Sequence, residues 1–435
     1  MKTDSLMRGW QRNLYVIWLA ELVAIAGFTV VIPFLPYYVQ ELGVTDPEQV
    51  AIWSGLVFTG HAITMAIFSP IWGSLADRYG RKLMVERTMF GGAVLLSAMG
   101  LVANVQQLAL LRTLQGGVTG TIPAATTLVA SSVPRQRSGY ALGLLQMAIY
   151  IGASVGPLLG GLVADAFGYR AAFWVAAALL FTGGLGVLLL VEERVKLSLQ
   201  REDSPAGSSG PSGLTARLSL QTEPQAEGLA EVPGEGFWQG LALVLRSRAL
   251  LVTFGTRLIT RLASGIMWPM LPLFIQSLMP AGERVSSVTG LITGVGAATS
   301  ALGAVFLGRV GDRIGHRYVV VACALGAAAL YAPQFFVITP TQLLILQAAA
   351  RVALGGILAS LSATLANLAP EDRQGMVYGV DASATSVARA AAPMAGAAIA
   401  AGLGLRFIFL CAAGIFVLAA LGMMGLLANT KNSKR

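Results

Sequence analysis

Apolar residues in this chain run in stretches of roughly 20, separated by short polar or charged turns. At about 1.5 Å per residue a helix of that length matches a bilayer hydrocarbon core of about 30 Å. The stretches fall near 14–38, 50–72, 83–103, 107–131, 140–165 and 170–191, and again near 250–277, 286–307, 318–338, 341–368, 375–402 and 405–428. This pattern predicts an all-α membrane protein with twelve spanning helices, six on either side of a long polar interruption. The first stretch ends in a proline-rich turn and lacks a small-residue cleavage site, so it reads as a retained span.

The two sets of six share landmarks in the same order, offset by about 236 residues. Pro33 and Pro36 return as Pro269 and Pro272, Arg112 with Gly116 returns as Arg351 with Gly355, and Pro157 returns as Pro393. The loop from Gly73 to Lys82 returns as Gly308 to Arg317. The chain therefore reads as two copies of one unit in the same orientation, the plan of two pseudo-symmetric bundles around a central site.

Composition agrees with a lipid environment. The chain is 55% hydrophobic and 12% charged, with a mean hydropathy of +0.70, whereas soluble domains carry about 25% charged residues. The net charge of +9 gathers in alternate loops and both tails, so the positive-inside rule puts the termini and the middle segment in the cytoplasm. That distribution argues against a nucleic-acid partner, which would need one basic, solvated face. Cys323 and Cys411 fall inside expected spans and say nothing about redox compartment.

Residues 192–236 break the pattern with charged residues and the run Ser204-Pro205-Ala206-Gly207-Ser208-Ser209-Gly210-Pro211-Ser212-Gly213. Too little apolar surface is present there to offset ordering entropy, so a flexible tether is expected. Phe237, Leu241, Val244 and Leu245 then recur at helical spacing, as a short helix on the inner membrane surface or an extension of the seventh span. The expected organisation is a bundle over 1–191, a cytoplasmic linker over 192–248 and a second bundle with the tail over 249–435.

The loop Gly73-Ser74-Leu75-Ala76-Asp77-Arg78-Tyr79-Gly80-Arg81-Lys82 must reverse the chain tightly, a task for Gly73 and Gly80. Asp77 is placed to cap the next helix or to pair with a base. This loop, with its second copy around Asp312 and Arg313, resembles the signature loop of the major facilitator superfamily. The stretch Gly152-Ala153-Ser154-Val155-Gly156-Pro157-Leu158-Leu159-Gly160-Gly161 resembles the motif of that family's drug:proton antiporter branch. Its proline kinks a helix and its glycines four apart admit a close neighbour. The segment Leu108 to Gly116 resembles the family's fourth-helix motif, whose arginine, here Arg112, is implicated in proton transfer. The resemblance implies the major facilitator fold, proton-coupled transport and a gating role for Gly73, Asp77, Arg78, Gly80, Arg81, Gly156, Pro157, Asp312 and Arg313.

Charged groups inside the spans carry the chemistry. An arginine such as Arg112 at that depth costs roughly 2.5–3.5 kcal/mol unless a carboxylate or water receives it. Glu21 lies roughly 12 Å along the first span, amid Trp18, Leu19, Ala20, Leu22 and Val23. Desolvation favours the neutral form of such an acid, so it can exchange a proton near neutral pH and attract a cation when ionised. Antiporters similar to this chain often carry an acid in the first helix for that purpose. Arg257 stands where the repeat places the mate of Glu21, and the two are expected to face each other across a cavity. Arg261 follows one turn later, and Asp381 is expected to pair with an arginine of the second half, with Arg389 two turns beyond it.

Candidate proton-coupling residues are Glu21, Arg112 and Asp381. Candidates for substrate binding are Glu21, Phe28, Trp53, Phe58, His61, Gln146, Tyr150, Arg257, Arg261 and Trp268, since aromatic faces accept apolar or cationic ligands. No phosphate-binding glycine loop, metal-ligand cluster or nucleophile–base arrangement is present, so neither an enzyme nor a bound cofactor or metal is expected. The sequence thus points to a monomeric, multi-pass inner-membrane exporter of amphipathic compounds, with a small-molecule substrate, the proton and the lipid bilayer as its partners. Uptake or exchange of a sugar or organic anion and a non-transporting sensor or scaffold are the alternatives.

Overall fold

Proline and glycine set the helix boundaries in both copies. The computed structural model describes residues 2–134, 137–191, 235–280, 283–370 and 373–432, and every regular element among them is helical. Helix α1 (Lys2–Val30) gives way to a 3-10 turn at Ile32–Phe34 and the short α2 (Leu35–Glu41). Beyond α3 (Pro47–Tyr79), α4 (Arg81–Met99), α5 (Val105–Val118), α6 (Thr121–Ser132), α7 (Ser138–Phe167) and α8 (Tyr169–Leu190) comes α9 (Glu235–Arg246). The second copy then opens with α10 (Arg248–Met267) and the short α11 (Met270–Ser277). Each proline pair breaks its span because the ring removes a backbone donor and collides with the preceding turn.

The second copy continues through α12 (Val285–Ile314), α13 (His316–Tyr331), α14 (Pro340–Leu368), α15 (Gln374–Leu403) and α16 (Phe407–Asn432). Single glycines at positive φ reverse the chain at matching places: Gly80 (98°) and Gly315 (99°) before α4 and α13, Gly168 (85°) and Gly404 (101°) between the last two helices of each half. A side chain is strained in that region, so the repeat is written in the backbone as well as in the sequence.

Among the described residues, ten helices are long and apolar enough to cross a membrane. The other two of the twelve positions belong to α4 and to the pair α5 and α6. Helix α4 opens on Arg81, Lys82, Glu86 and Arg87, which dilute its apolar length. The continuous span expected over 107–131 is divided at Thr119 and Gly120, where Gly120 has φ 140°. Pro123 lies four residues after Thr119 and cannot donate to its carbonyl, which accounts for the break.

Contacts within the halves correspond. Helix α1 packs on α7 and α8, α3 on α5 and α4 on α8, and the same relations join α10 to α15 and α16, α12 to α14 and α13 to α16. Two seams, α3 with α15 and α7 with α12, join the halves. The segment after the tether forms a helix of its own: the Ser247 hydroxyl accepts the Leu250 N–H at 3.4 Å and so caps α10 separately. Val244 of α9 is buried with Leu365, Ala369, Val377 and Val380 at the ends of α14 and α15. Residues 192–234, where most of the tether is expected, lie outside the described residues. Cys323 and Cys411 are free thiols.

Candidate transport site

Glu21 is held in the protein interior by small and branched neighbours. Ile17, Ala20 and Ala24 of α1 belong to an apolar cluster with Met89 of α4, Ala125 of α6, Leu145 of α7 and Val187 of α8. Glycines on α7 let α1 come close, since a Cβ at Gly152 would lie 2.7 Å from the Leu22 carbonyl oxygen. Glu21 itself is 0% exposed, and among the described residues neither carboxyl oxygen has a hydrogen-bond partner. The acid faces protein rather than lipid, and no bond has to break before it gains or loses a proton.

Arg112 is also buried, at 4% exposure. Its guanidinium donates to the Gln115 side-chain oxygen and sits 6.0 Å from the centre of the Phe58 ring. The His61 Nδ1 lies 3.4 Å from the Arg112 carbonyl oxygen. Phe58, His61 and Arg112 thus form one cluster, in which a neutral amide and an aromatic face receive the guanidinium where a carboxylate or water is expected from the sequence.

The second half is arranged differently. Arg257 does not face Glu21: its Nε lies 3.0 Å from the Asp381 carboxylate, and its Nη1 donates to the Ser362 hydroxyl at 3.1 Å. The residue four positions along α10, Arg261, is within electrostatic range of Arg257, Asp381, Arg389 and, from the first half, Tyr150. Arg389 in turn acts on His61. The expectation of an acid–base pair across the cavity fails because a carboxylate within the second half is nearer to Arg257, and an ion pair falls off with distance.

The halves touch along only part of their length. Ser154 of α7 donates to the Gly294 carbonyl at 2.9 Å, Thr59 of α3 donates to the Ala390 carbonyl at 2.9 Å, and Gly161 abuts Ser286. Gly143 lies eighteen residues before Gly161, five full turns and hence on the same helix face, yet nothing approaches within 4 Å of a Cβ there. Between them Met147 and Tyr150 are exposed. The bundles are therefore joined at the end far from both tails and diverge toward the tail end. Arg261, Arg389, His61 and Tyr150 lie near the point of divergence, together with the exposed Gln146 one turn before Tyr150.

Other candidates occupy different places. The Phe28 ring packs over Gly92 of α4, 3.0 Å from where a Cβ would sit, and α4 touches helices of the first half; Phe28 is a bundle-packing residue rather than one facing the second half. Trp53 is half-buried against the apolar core, and Trp268 is 45% exposed. The antiporter-type motif serves two faces: Gly152, Gly156 and Gly160 meet α1, whereas the Pro157 carbonyl and Gly161 meet α12. At the tail end Gly73 has open space, Arg78 lies 5.4 Å from the Tyr79 ring and Arg81 donates to the Thr127 carbonyl at 3.2 Å. Asp312 at the end of α12 pairs across the Gly315 turn with His316, the first residue of α13, at 3.2 Å, and Arg313 is exposed. The side chain of Asp77 lies outside what the structure describes.

Sequence reasoning missed several groups that close the far end. The Tyr37 hydroxyl donates to the Pro272 carbonyl at 2.6 Å and lies 2.7 Å from the Thr289 hydroxyl. Gln40 and Gln276 exchange amide hydrogen bonds at 2.8 and 3.1 Å. These two glutamines stand at the repeat offset, so the period already used for prolines and loops could have found them. Asp165 accepts the Ser286 and Ser287 N–H groups at 3.2 and 2.7 Å. Its repeat position holds an alanine, Ala401, and no internal match marked it.

Comparison with known proteins agrees with this architecture. The family model described as Major Facilitator Superfamily matches residues 17–256 and 253–435. Multidrug resistance protein MdtG of Dickeya zeae is 34% identical over 418 residues, covering 96% of this chain and 95% of the relative. The protein of that name from Serratia proteamaculans is 35% identical over 409 residues, covering 94% and 92%. Among solved structures, a bacterial homologue of the human lysosomal transporter Spinster, inward-facing and unoccupied, superposes with a TM-score of 0.72 at 16% identity over 95% of this chain and 96% of that one. The nucleoside transporter NupG gives 0.70 at 14% identity over 95% and 99%. The repeated bundles, the two seams and the full-length matches have one reading: the chain belongs to the Major Facilitator Superfamily.

Proposed function

We propose that this protein exports amphipathic compounds across the inner membrane in exchange for protons, by alternating access. The observation that carries the export reading is the similarity to MdtG along almost the whole of both chains. Proton coupling is assigned to Glu21, which is enclosed by the first bundle without a hydrogen bond to either oxygen. Such an acid can bind a proton in one state and release it, or pair with a cationic cargo, in the other. Arg112 with its Gln115 and Phe58 partners is a second embedded charge of the first bundle, and the Arg257–Asp381 pair is a structural brace more than a proton carrier.

The working units are the bundles 1–191 and 249–435, tethered through 192–248. Both termini and the tether face the cytoplasm, in keeping with the basic loops, and one chain suffices for the cycle. With the halves joined at the far end, the described state opens toward the cytoplasm. The test is growth of an efflux-deficient bacterium expressing the chain on a panel of toxic compounds, with Glu21→Gln as control. Improved tolerance that Glu21→Gln removes supports the reading, and no improved tolerance on any compound counts against export.

A second reading has an observation of its own. Arg261 and Arg389 lie near the divergence point with one nearby carboxylate, Asp381, already paired to Arg257. A surplus of positive charge suits exchange of an organic anion. Inward accumulation of anions by energised cells, abolished in Arg261→Gln, would favour it over export.

A further inference from the structure

The first N–H groups of a helix have no partner within the helix and must find one elsewhere. At the far end, the two helices that begin against the opposite half solve this in different ways. Helix α3 is capped within its own chain segment: Asp46, the residue before it, accepts the Gln49 N–H at 3.2 Å. Its counterpart α12 is preceded by Arg284, whose side chain provides no cap. The missing acceptor comes from the other bundle, where Asp165 near the end of α7 receives both the Ser286 and Ser287 N–H groups at 3.2 and 2.7 Å. Ser286 is 2% exposed, so water has little access to this helix start while the bundles meet.

The equivalent position on the other seam has no acid. Ala401 stands there, and a cleft of about 540 Å³ lined by Asp46, Glu48, Gln40, Gln276 and Ala401 opens between the start of α3 and the end of α15, whose middles pack closely at Gly55 and Ala397. At the far end one seam is thus bonded through a charge and the other is open. A carboxylate binding two N–H groups at a helix N-terminus gains from charge-assisted hydrogen bonds and from the helix dipole. In a cap supplied from another bundle, that gain exists only while the bundles touch at this end. It therefore biases the equilibrium between transport states rather than the stability of either bundle.

We infer that Asp165 is the far-end gating residue: by capping α12 in trans it holds the protein closed on the side away from the tails. The inference rests on alternating access but not on the identity of the cargo, the direction of transport or the role of Glu21. Its failure would therefore leave the export reading standing, and the reverse also holds. Tyr37, bonded to Pro272 and Thr289 beside this seam, adds neutral contacts.

The test measures the two ends separately. In a background with Cys323→Ser and Cys411→Ser, nitroxide labels at Leu101→Cys and Ile338→Cys report the far end, and labels at Tyr79→Cys and Ile314→Cys report the tail end; all four positions are exposed. Pulsed electron–electron distance measurements in lipid nanodiscs should show Asp165→Ala raising the ratio of far-end-open to far-end-closed molecules by about tenfold, equivalent to ~1.4 kcal/mol. The tail-end distances should shorten in step. Ser287→Pro removes the closer of the two N–H donors from the opposite bundle, in the first turn of α12 where that N–H has no partner within the helix, so it should shift the ratio in the same direction by less than Asp165→Ala and add little to Asp165→Ala when combined. Unchanged distributions in both single variants, even with lowered melting temperatures, would make the contact an ordinary structural staple and overturn the inference. So would fully additive shifts in the double variant.

Discussion

The first bundle buries an acid and a base apart from each other, whereas the second joins its acid to a base. Glu21 has no hydrogen-bond partner among the described residues, and Arg112 leans on a neutral amide and a ring. Asp381 and Arg257 meet at 3.0 Å, with side chains 9% and 15% exposed. An ion pair inside a protein holds both partners in their charged forms, and a proton can enter only by breaking it. An isolated acid carries no such constraint. The two halves share one architecture, and the difference lies in how each treats its embedded charges: the first keeps them available and the second spends them on bracing α10 against α15.

This contrast predicts an order of stability effects, each read as a melting temperature in detergent. The largest belongs to the second half: Asp381→Asn leaves Arg257 buried without its counter-charge and should cost about 3 kcal/mol. Combining Asp381→Leu with Arg257→Met should recover most of that loss, because an apolar pair needs no compensation. Failure of the double variant to recover would mean that the pair contributes more than charge balance.

Next come the glycines of the α7 face. Gly161→Val places side-chain carbon against the Ser286 backbone and should cost about 2 kcal/mol when the far end is closed. Gly143→Val on the same face meets open space and should be nearly neutral. Equal effects at the two positions would contradict the divergence of the bundles. A smaller loss of about 1 kcal/mol is expected for Gln115→Leu, which removes the hydrogen-bond acceptor of Arg112 while keeping its volume. Smallest of all, Glu21→Gln should leave stability within about 0.5 kcal/mol, since no bond is lost when the carboxyl becomes an amide.

The sequence made the scaffold legible for a physical reason. Lipid requires long apolar helices, and duplication repeats their breaks, so Pro33 and Pro36 with Pro269 and Pro272 marked the repeat, although the runs over 14–38 and 250–277 read as continuous spans and are divided at those prolines. The division of the fourth span followed from Pro123, whose effect on the carbonyl of Thr119 is local and readable, but the apolar run across it hid the break. Candidate chemistry was legible as residue type and depth, and in one pairing, since Asp381 meets an arginine of its own half as its sequence position suggests. Glu21 and Arg112 stood out because charge is costly in lipid, yet the partner of Arg257 could not be read from the repeat. Pseudo-symmetry relates positions, whereas ion pairing depends on which side chain reaches, and Asp381 reaches first. Phe28 shows the same limit: an aromatic residue two turns from Glu21 packs onto Gly92 instead of facing the second half. Asp165 escaped notice because it serves a helix that begins about 120 residues later.

The claim that matters most is that Glu21 couples protons to transport, and its most direct test is drug movement in proteoliposomes with and without an imposed pH gradient. Using a compound identified by the growth screen, Glu21→Gln should abolish the acceleration by the gradient, while exchange of labelled for unlabelled compound without a gradient continues. Gradient-driven export by Glu21→Gln at close to the native rate would contradict the account and move the coupling to another group.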